Sequence, residues 1–427
     1  LNRAHFYKES FTMKCKRLTR RELLQTSAGL GALAAGGGAL WGVAGCKKRA
    51  MGAHSWRELE VPVPAGSVSP RVAALPDSSA ILSWLEPGAG RTAAFRFSTW
   101  RDARWSEPQT IASGQVFSRD QAAAPGVIGL SPQNLMAYWS QKPSGDETAT
   151  NEISLFMAAS KNGGAHWTPP MLVNRAAAQP GEDNAYASAA ALDEQRAMFV
   201  WLDGRNWAKD KRVQLMTRTA AADGAMSEAV LLDADACTCC STSTVQTSFG
   251  LLASYRGHTP ENIRDISLVR GVSGGWSQPQ IAYADLWHIE ACPVNGPHVA
   301  VDAERTALIW FTAPQDQPAV KVAFSQNGGA DFSPPVRVDT GNAIGRAQIV
   351  LLPENSGAAF WLEREAGAAK LMAVNVGDRN TLGAPFELLR GANLGFPHAA
   401  RANGGIIVAW AERNPTSQVH AGFLQSA

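Results

Sequence analysis

Cysteine and tyrosine are scarce in this 427-residue chain, with six of the first and five of the second. Neither sign of charge is in excess: 39 Lys and Arg stand against 37 Asp and Glu. That balance gives no reason to expect a nucleic-acid partner or a basic membrane-binding face. No long stretch of helical hydrophobic period follows residue 45, which argues against a helical domain. The extended apolar run from Leu23 to Gly45 is too rich in glycine to read as a membrane-spanning helix.

What is present begins with a basic stretch. Met13 reads as the natural start of translation, and Arg20-Arg21 precede the Gly/Ala-rich run, which closes on Val43-Ala44-Gly45-Cys46. The layout resembles a twin-arginine signal ending in a bacterial lipoprotein cleavage box. The resemblance implies that residues 1–45 are removed and that Cys46 carries lipid. Residues 46–53 would then be a linker, and residues 54–427 an exported domain tethered to the membrane and facing the periplasm or the cell exterior. An ordinary signal peptide with a chance cysteine is the other reading. The mature chain would hold 32 basic and 35 acidic side chains, a formal charge of −3. Four cysteines would remain, Cys237, Cys239, Cys240 and Cys292, in a compartment that permits disulfides.

The mature region repeats itself. An apolar strand ending in an aromatic and then a polar residue recurs as ILSWLE (81–86), LMAYWSQ (135–141), AMFVWLD (197–203), LLASYRG (251–257), ALIWFTA (307–313), GAAFWLER (357–364) and IIVAWAER (406–413). Neighbouring copies are about 50–60 residues apart, the size of a propeller blade. A second unit follows the third strand of each copy: Trp105-Ser106-Glu107-Pro108, Trp167-Thr168-Pro169-Pro170, Trp276-Ser277-Gln278-Pro279 and Phe332-Ser333-Pro334-Pro335. Met226-Ser227-Glu228-Ala229 and Leu382-Gly383-Ala384-Pro385 are eroded copies. The pattern predicts an all-β propeller, seven blades favoured and six the alternative. Trp56-Arg57-Glu58 would supply an N-terminal strand that closes the last blade and protects its edge.

Two copies carry a fuller motif. Ser160-Lys161-Asn162-Gly163-Gly164-Ala165-His166-Trp167 and Ser325-Gln326-Asn327-Gly328-Gly329-Ala330-Asp331-Phe332 both fit S-x-[DN]-x-G-x-x-[WF]. This resembles the Asp-box of sialidases and other BNR-repeat proteins, within an exported bacterial subgroup bearing a CxCC…CPVNGP cysteine patch. The box itself is a turn that maintains the fold. The family implies three arginines clamping a substrate carboxylate, a Tyr nucleophile paired with a Glu, and an Asp acid/base. Guanidinium groups bind carboxylates bidentately, so the clamp is chemically sound. Arg71, Arg256, Arg264 and Arg346 are the available clamp residues, with His258 beside them. Asp265 is the candidate acid/base and Tyr255 the candidate nucleophile. The sequence departs from the family in having no tyrosine after Tyr283.

The cysteine patch precedes the inner strands of copies four and five, so the fold would bring Cys292 to Cys237, Cys239 and Cys240. Three readings stand open. One is a structural staple, two disulfides among the four cysteines joining blade four to blade five. Another is a Cu or Zn site of these thiolates with His288 or His298, no cofactor being otherwise required. The third is redox work at a labile disulfide. The functional expectation is a channel-face pocket that binds, or hydrolyses, a glycan or other anionic small molecule. A non-enzymatic metal-binding protein and a scaffold for protein partners are the alternatives.

Overall fold

The computed structural model describes residues 55–142, 152–174, 182–377 and 380–425. The expected signal, lipidation site and linker lie outside them. The chain is nearly all β. Among the described residues, α-helix is confined to one turn, Trp207–Asp210.

Strands assemble into antiparallel sets with consecutive strands adjacent. Val68–Ala74, Ala80–Pro87, Ala93–Arg101 and Gln109–Phe117 form one set. A second, built on Gly126–Gly129 and Leu135–Lys142, shares its sheet because Phe117 pairs with Gln141. The remaining sets are separate sheets, led by Asn184–Ala191, Ser243–Thr247, His298–Asp302, Ala343–Leu352 and His398–Ala402. These leading strands touch in sequence order, and His398–Ala402 also touches Val68–Ala74. The outermost strand of the last sheet is Trp56–Leu59, which pairs antiparallel with Ser417–Gln425 in the register Trp56 to Leu424.

The repeated aromatic is the core of each set. Trp84, Trp139, Trp201, Trp310 and Trp361 are all less than 2% exposed, with Tyr255 in the equivalent place. Burying an indole removes roughly 200 Å² from water, about 5 kcal/mol of transfer free energy before entropy is counted. The indole N–H must then find an acceptor. In three sets the polar residue two positions on lies on the same face of the strand and supplies it, whereas Trp84 Nε1 is buried without a partner. Trp139 donates to Gln141 at 2.6 Å, Trp201 to Asp203 at 3.2 Å and Trp361 to Glu363 at 2.8 Å. Trp310 has Thr312 at that position and reaches Asp285 instead, at 2.7 Å.

The second repeated unit also has a hydrogen-bonding purpose. Its hydroxyl residue clamps the third strand with two bonds, one from its backbone N–H and one accepted by its side chain. Ser106 does this to Thr99, Thr168 to Ala159, Ser227 to Thr219, Ser277 to Arg270 and Ser333 to Phe324. Gly383, which lacks a hydroxyl, keeps the backbone half, to Asn375 at 3.0 Å. In the fuller boxes the Ser160 hydroxyl accepts from Gly164 N–H at 2.9 Å, and the Asn162 side chain from His166 N–H at 2.9 Å. Ser325 and Asn327 repeat the arrangement with Gly329 and Asp331.

The second glycine of each box has two reasons to be glycine. Gly164 has φ +91°, and a Cβ there would sit 2.3 Å from the Phe97 ring; Gly329 has φ +82° and would meet Leu252 at 2.7 Å. Gly367 has a similar φ, +88°, with open space around it. Gly164→Ala and Gly329→Ala should each lose about 2–3 kcal/mol, against about 1 for Gly367→Ala. Urea unfolding midpoints read the difference; equal losses at all three would mean the boxes do not pack against the preceding set.

Candidate functional site

The leading strands open onto a small cleft. Arg71, His298, Arg346, Gln348, Phe396 and His398 are among its walls, with Gln121 from the turn Gln121–Ala123. Three of these side chains occupy one repeated position. In Pro70-Arg71-Val72-Ala73, Pro297-His298-Val299-Ala300 and Pro397-His398-Ala399-Ala400 the residue after proline takes the equivalent pairing position of its leading strand, opposite Ser83, Ile309 and Ala409, and lines the same cleft. That Pro-x signal is legible in the sequence and went unread there for the histidines. The enclosed volume, about 90 Å³, is well below the ~300–1,000 Å³ of sites that engulf a drug-sized ligand. It suits a head group, with the remainder of a larger ligand outside.

The cleft is cationic without being paired. Arg71 donates to the Ala124 carbonyl at 3.2 Å, and its guanidinium lies 5.6 Å over the Tyr138 ring. The Arg346 guanidinium lies 4.1 Å over Phe396, and its Nη1 is buried without a hydrogen-bond partner. Among the described residues no carboxylate forms an ion pair with either. Burial pulls the Arg346 pKa down to about 10 against the opposing fields of Cys240 and Asp120. Desolvation, with Arg71 next, pushes His298 down to about 4; desolvation, Arg71 and His298 depress His398 as well. Both imidazoles are therefore neutral at pH 7. His298 Nδ1 accepts from the Ile349 N–H at 3.3 Å, which leaves Nε2 protonated as a donor.

A tyrosine–carboxylate pair stands beside the cleft. Tyr186 interrupts the pairing of Asn184–Ala191 between Ala185 and Ser188, with φ +58°. Its carbonyl is held by Thr242, and its hydroxyl donates to Asp120 at 3.0 Å. Asp120 is fixed in turn by accepting from the Ala122 N–H at 2.9 Å. Burial and the charge of Asp120 push the Tyr186 hydroxyl well above its ordinary value. Burial first, and Asp120 next, raise Asp183 to about 6. A phenol thus stands against one carboxylate, with a second carboxyl near it that holds its proton more tightly than an ordinary one. The sequence reading passed over Tyr186 because its run of alanines, NAYASAAA, hides the bulge.

The residues chosen from sequence divide. Arg71 and Arg346 line the cleft. Arg256 does not: it is 1% exposed. Its guanidinium donates to the carbonyls of Asn295, Arg264 and Phe311 at 2.6–3.0 Å and lies 4.9 Å from the Trp287 ring. Arg264 is buried against sulfur, with Nη1 3.2 Å from Cys237 Sγ. His258 is engaged by Asp235 at 2.7 Å and Asn262 at 3.2 Å. The catalytic assignments are likewise redirected. The Asp265 carboxylate accepts from the backbone N–H groups of Leu286 and Trp287, and the Tyr255 hydroxyl is buried against Asp233. Both groups hold loops and strands together outside the cleft wall. Lys321 and Asp285 form an ion pair beside Trp310, again for support.

The sulfur segments do meet. Cys239 and Cys292 are bonded to each other across 53 residues, with Cα atoms 6.2 Å apart. Cys237 and Cys240 are free and buried, 3.6 Å apart. The Sγ atoms of Cys237, Cys239 and Cys240 lie within 4.8 Å of one another. Once Cys237 is deprotonated, its sulfur accepts from both Arg264 Nη1 and the Cys240 S–H. The Cys240 S–H, with Arg256 and Arg264 behind it, draws the Cys237 thiol down to about 5, while burial drives Cys240 up. His288 is exposed and stands apart from this group, and the bridge takes Cys239 and Cys292 out of the thiolate set expected for a metal.

Comparison places this geometry among known folds. An ulvan lyase, a polysaccharide lyase, superposes with TM-score 0.56 at 10% identity, covering 86% of this chain and 96% of that one. The chain shares the fold of that lyase. An α-L-arabinofuranosidase of Fusarium graminearum gives TM-score 0.48 at 14% identity over 84% of this chain and 93% of that one. The NanB sialidase of Streptococcus pneumoniae gives 0.44 at 9% identity over 85% and 68%. No family model and no curated protein matches the sequence.

The shifted groups set opposite pH dependences. His298 binds its proton only on unfolding between its unfolded value of 6.5 and about 4, so acidification through that window destabilises the fold. Asp183 binds its proton first in the folded state, between about 6 and 3.8, so the same acidification stabilises it. In urea titrations at pH 7 and pH 5, His298→Gln should lose less stability on acidification than the parent, and Asp183→Asn more. Unchanged slopes in both would show the two groups to be well solvated.

Proposed function

We propose that this protein is a seven-bladed sialidase-like propeller that binds the acidic group of a glycan at its channel face. The observation that carries the reading is Arg346: a desolvated guanidinium with an unpaired buried N–H, facing a cleft that also holds Arg71 and no carboxylate counterpart. Such a cation is stabilised by an anion that brings bidentate oxygens. The leading strands touching in sequence order, last against first, support the ring of seven blades, and the Trp56–Leu59 pairing supports its closure. Neutral His298 adds a donor beside the anion, and the walls leave room for one head group with the sugar chain outside. Ulvan lyase is by name a polysaccharide lyase, in agreement with that ligand class.

In the same reading the site cleaves its ligand by way of Tyr186, with Asp120 accepting the phenolic proton as attack proceeds and Asp183 protonating the leaving oxygen. Export by the twin-arginine route and lipidation at Cys46 complete the proposal, supported by the Arg20-Arg21 and Val43–Cys46 pattern and by a disulfide suited to an oxidising compartment. Cys46→Ser should release the protein from the membrane fraction.

Calorimetry against glucuronate, N-acetylneuraminate and uronate-containing oligosaccharides, with neutral glucose as control, tests the binding. At least one acidic ligand should bind. Arg346→Ala should weaken it tenfold or more, about 1.4 kcal/mol, with Arg346→Lys recovering part of the loss. Tyr186→Phe should retain binding and lose any turnover. Indifference to every acidic ligand, or equal binding of glucose, overturns the reading.

A further inference from the structure

The glycan reading makes no use of the sulfur cluster. Cys237 and Cys240 are a C-x-x-C pair, both unoxidised, packed against an existing disulfide whose outer member, Cys292, is exposed. A staple needs two sulfurs, whereas this one is stored beside two more. Attack on a disulfide needs a thiolate near one of its sulfurs. Cys237 has both requirements: Arg264 Nη1 at 3.2 Å stabilises its anion, and Cys239 Sγ lies within 4.8 Å. The neighbouring Cys240 carries a proton and lies 3.6 Å from Cys237, where it can resolve the first product.

We propose that the four cysteines form an internal disulfide relay, in which the buried Cys237–Cys240 dithiol exchanges with the Cys239–Cys292 bridge and delivers a free thiol to the surface at Cys292. In the first step the Cys237 thiolate attacks Cys239 Sγ. A Cys237–Cys239 bond forms, the Cys239–Cys292 bond breaks, and its electron pair leaves on Cys292 as thiolate. In the second step Cys240 gives up its proton and attacks Cys237; a Cys237–Cys240 bond forms and Cys239 leaves as thiolate. The released proton goes to Cys239 or Cys292. One disulfide and two thiol groups exist before and after, so no external oxidant or reductant is consumed. The substrate class reached from Cys292 is an external disulfide or thiol, because the relay presents or withdraws a nucleophilic sulfur there.

The relay predicts which cysteine an outside reagent finds. Native protein, never exposed to reductant, is incubated with N-ethylmaleimide at pH 7.5, quenched in acid, digested without reduction and mapped by mass spectrometry. Cys292 should be labelled over minutes to hours, and every labelled molecule should carry its bridge within Cys237, Cys239 and Cys240. Cys237→Ser should slow Cys292 labelling at least tenfold. Cys240→Ser should still allow it, with the bridge arrested at Cys237–Cys239. Wild-type protein whose Cys292 stays unlabelled while bridged to Cys239 overturns the relay in favour of an inert staple, and that result does not depend on any variant folding. Labelling of Cys292 at an unchanged rate in folded Cys237→Ser protein also overturns it. So does stoichiometric copper or zinc with four free thiols in protein purified without chelator.

Discussion

Asn295 ties three sheets together, and the cleft exists because it does. Its carbonyl accepts two bonds from Arg256, at 3.0 and 2.7 Å, which reach across from the fourth strand set of the chain. Its side-chain amide donates to Ile344 O at 3.2 Å, and its side-chain oxygen accepts from Arg346 N–H at 2.8 Å. The backbone around Arg346 is left-handed, with φ +54° there and +89° at Gly345, and a Cβ on Gly345 would sit 2.4 Å from the Asn295 oxygen. The approach is equally tight on the other side, where a Cβ on Gly296 would meet Ser241 O at 2.1 Å. The segment Cys292-Pro293-Val294-Asn295-Gly296-Pro297 is therefore a plug whose small and polar residues are each forced by a neighbour. Aiming Arg346 into the cleft is a consequence of that knot.

The same knot explains a buried cation. Arg256 has no carboxylate partner among the described residues, and burying an unpaired charge is costly. Backbone carbonyls satisfy its guanidinium and the Trp287 face covers it. Arg264 donates to Cys237, and the charges of Arg256 and Arg264 help draw that thiol down, so negative charge on this sulfur is favoured beside them. A cysteine here does what an aspartate does elsewhere. Its larger and more polarizable sulfur spreads the charge, and unlike a carboxylate it can form a covalent bond with its neighbours.

How far this was readable from sequence follows from what each feature depends on. The aromatic and its polar successor, Trp361 with Glu363 for example, obey a local rule of strand geometry, so their period gave the repeat directly. The Ser and Gly positions of the boxes are local in the same way. The meeting of Cys292 with Cys239 was legible because it needed only the repeat and the equivalence of two positions within it. Arg256 and Arg264 were misplaced because their fate depends on long-range acceptors: carbonyls 39 and 55 residues away for Arg256, and a sulfur 27 away for Arg264. Tyr255 was misread for a different reason. It stands where the other sets have tryptophan, and its hydroxyl replaces the indole N–H as the group seeking a buried acceptor. Tyr186 was invisible because a bulge inverts the face a strand presents, and alternation cannot report that.

Cleft and sulfur cluster are electrically joined. Cys240 acts on Arg346, and Cys237 acts on Arg256 and Arg264, so the charge state of the sulfurs enters the field that an anion meets in the cleft. A thiolate at Cys237 offsets two buried guanidinium groups. When that sulfur is taken into a disulfide its offset of Arg256 and Arg264 is removed. Inside a low-dielectric wall such a change decays slowly with distance. The cysteines thus bear on the buried guanidinium groups behind the cleft, while Arg71, Arg346 and His298 line it.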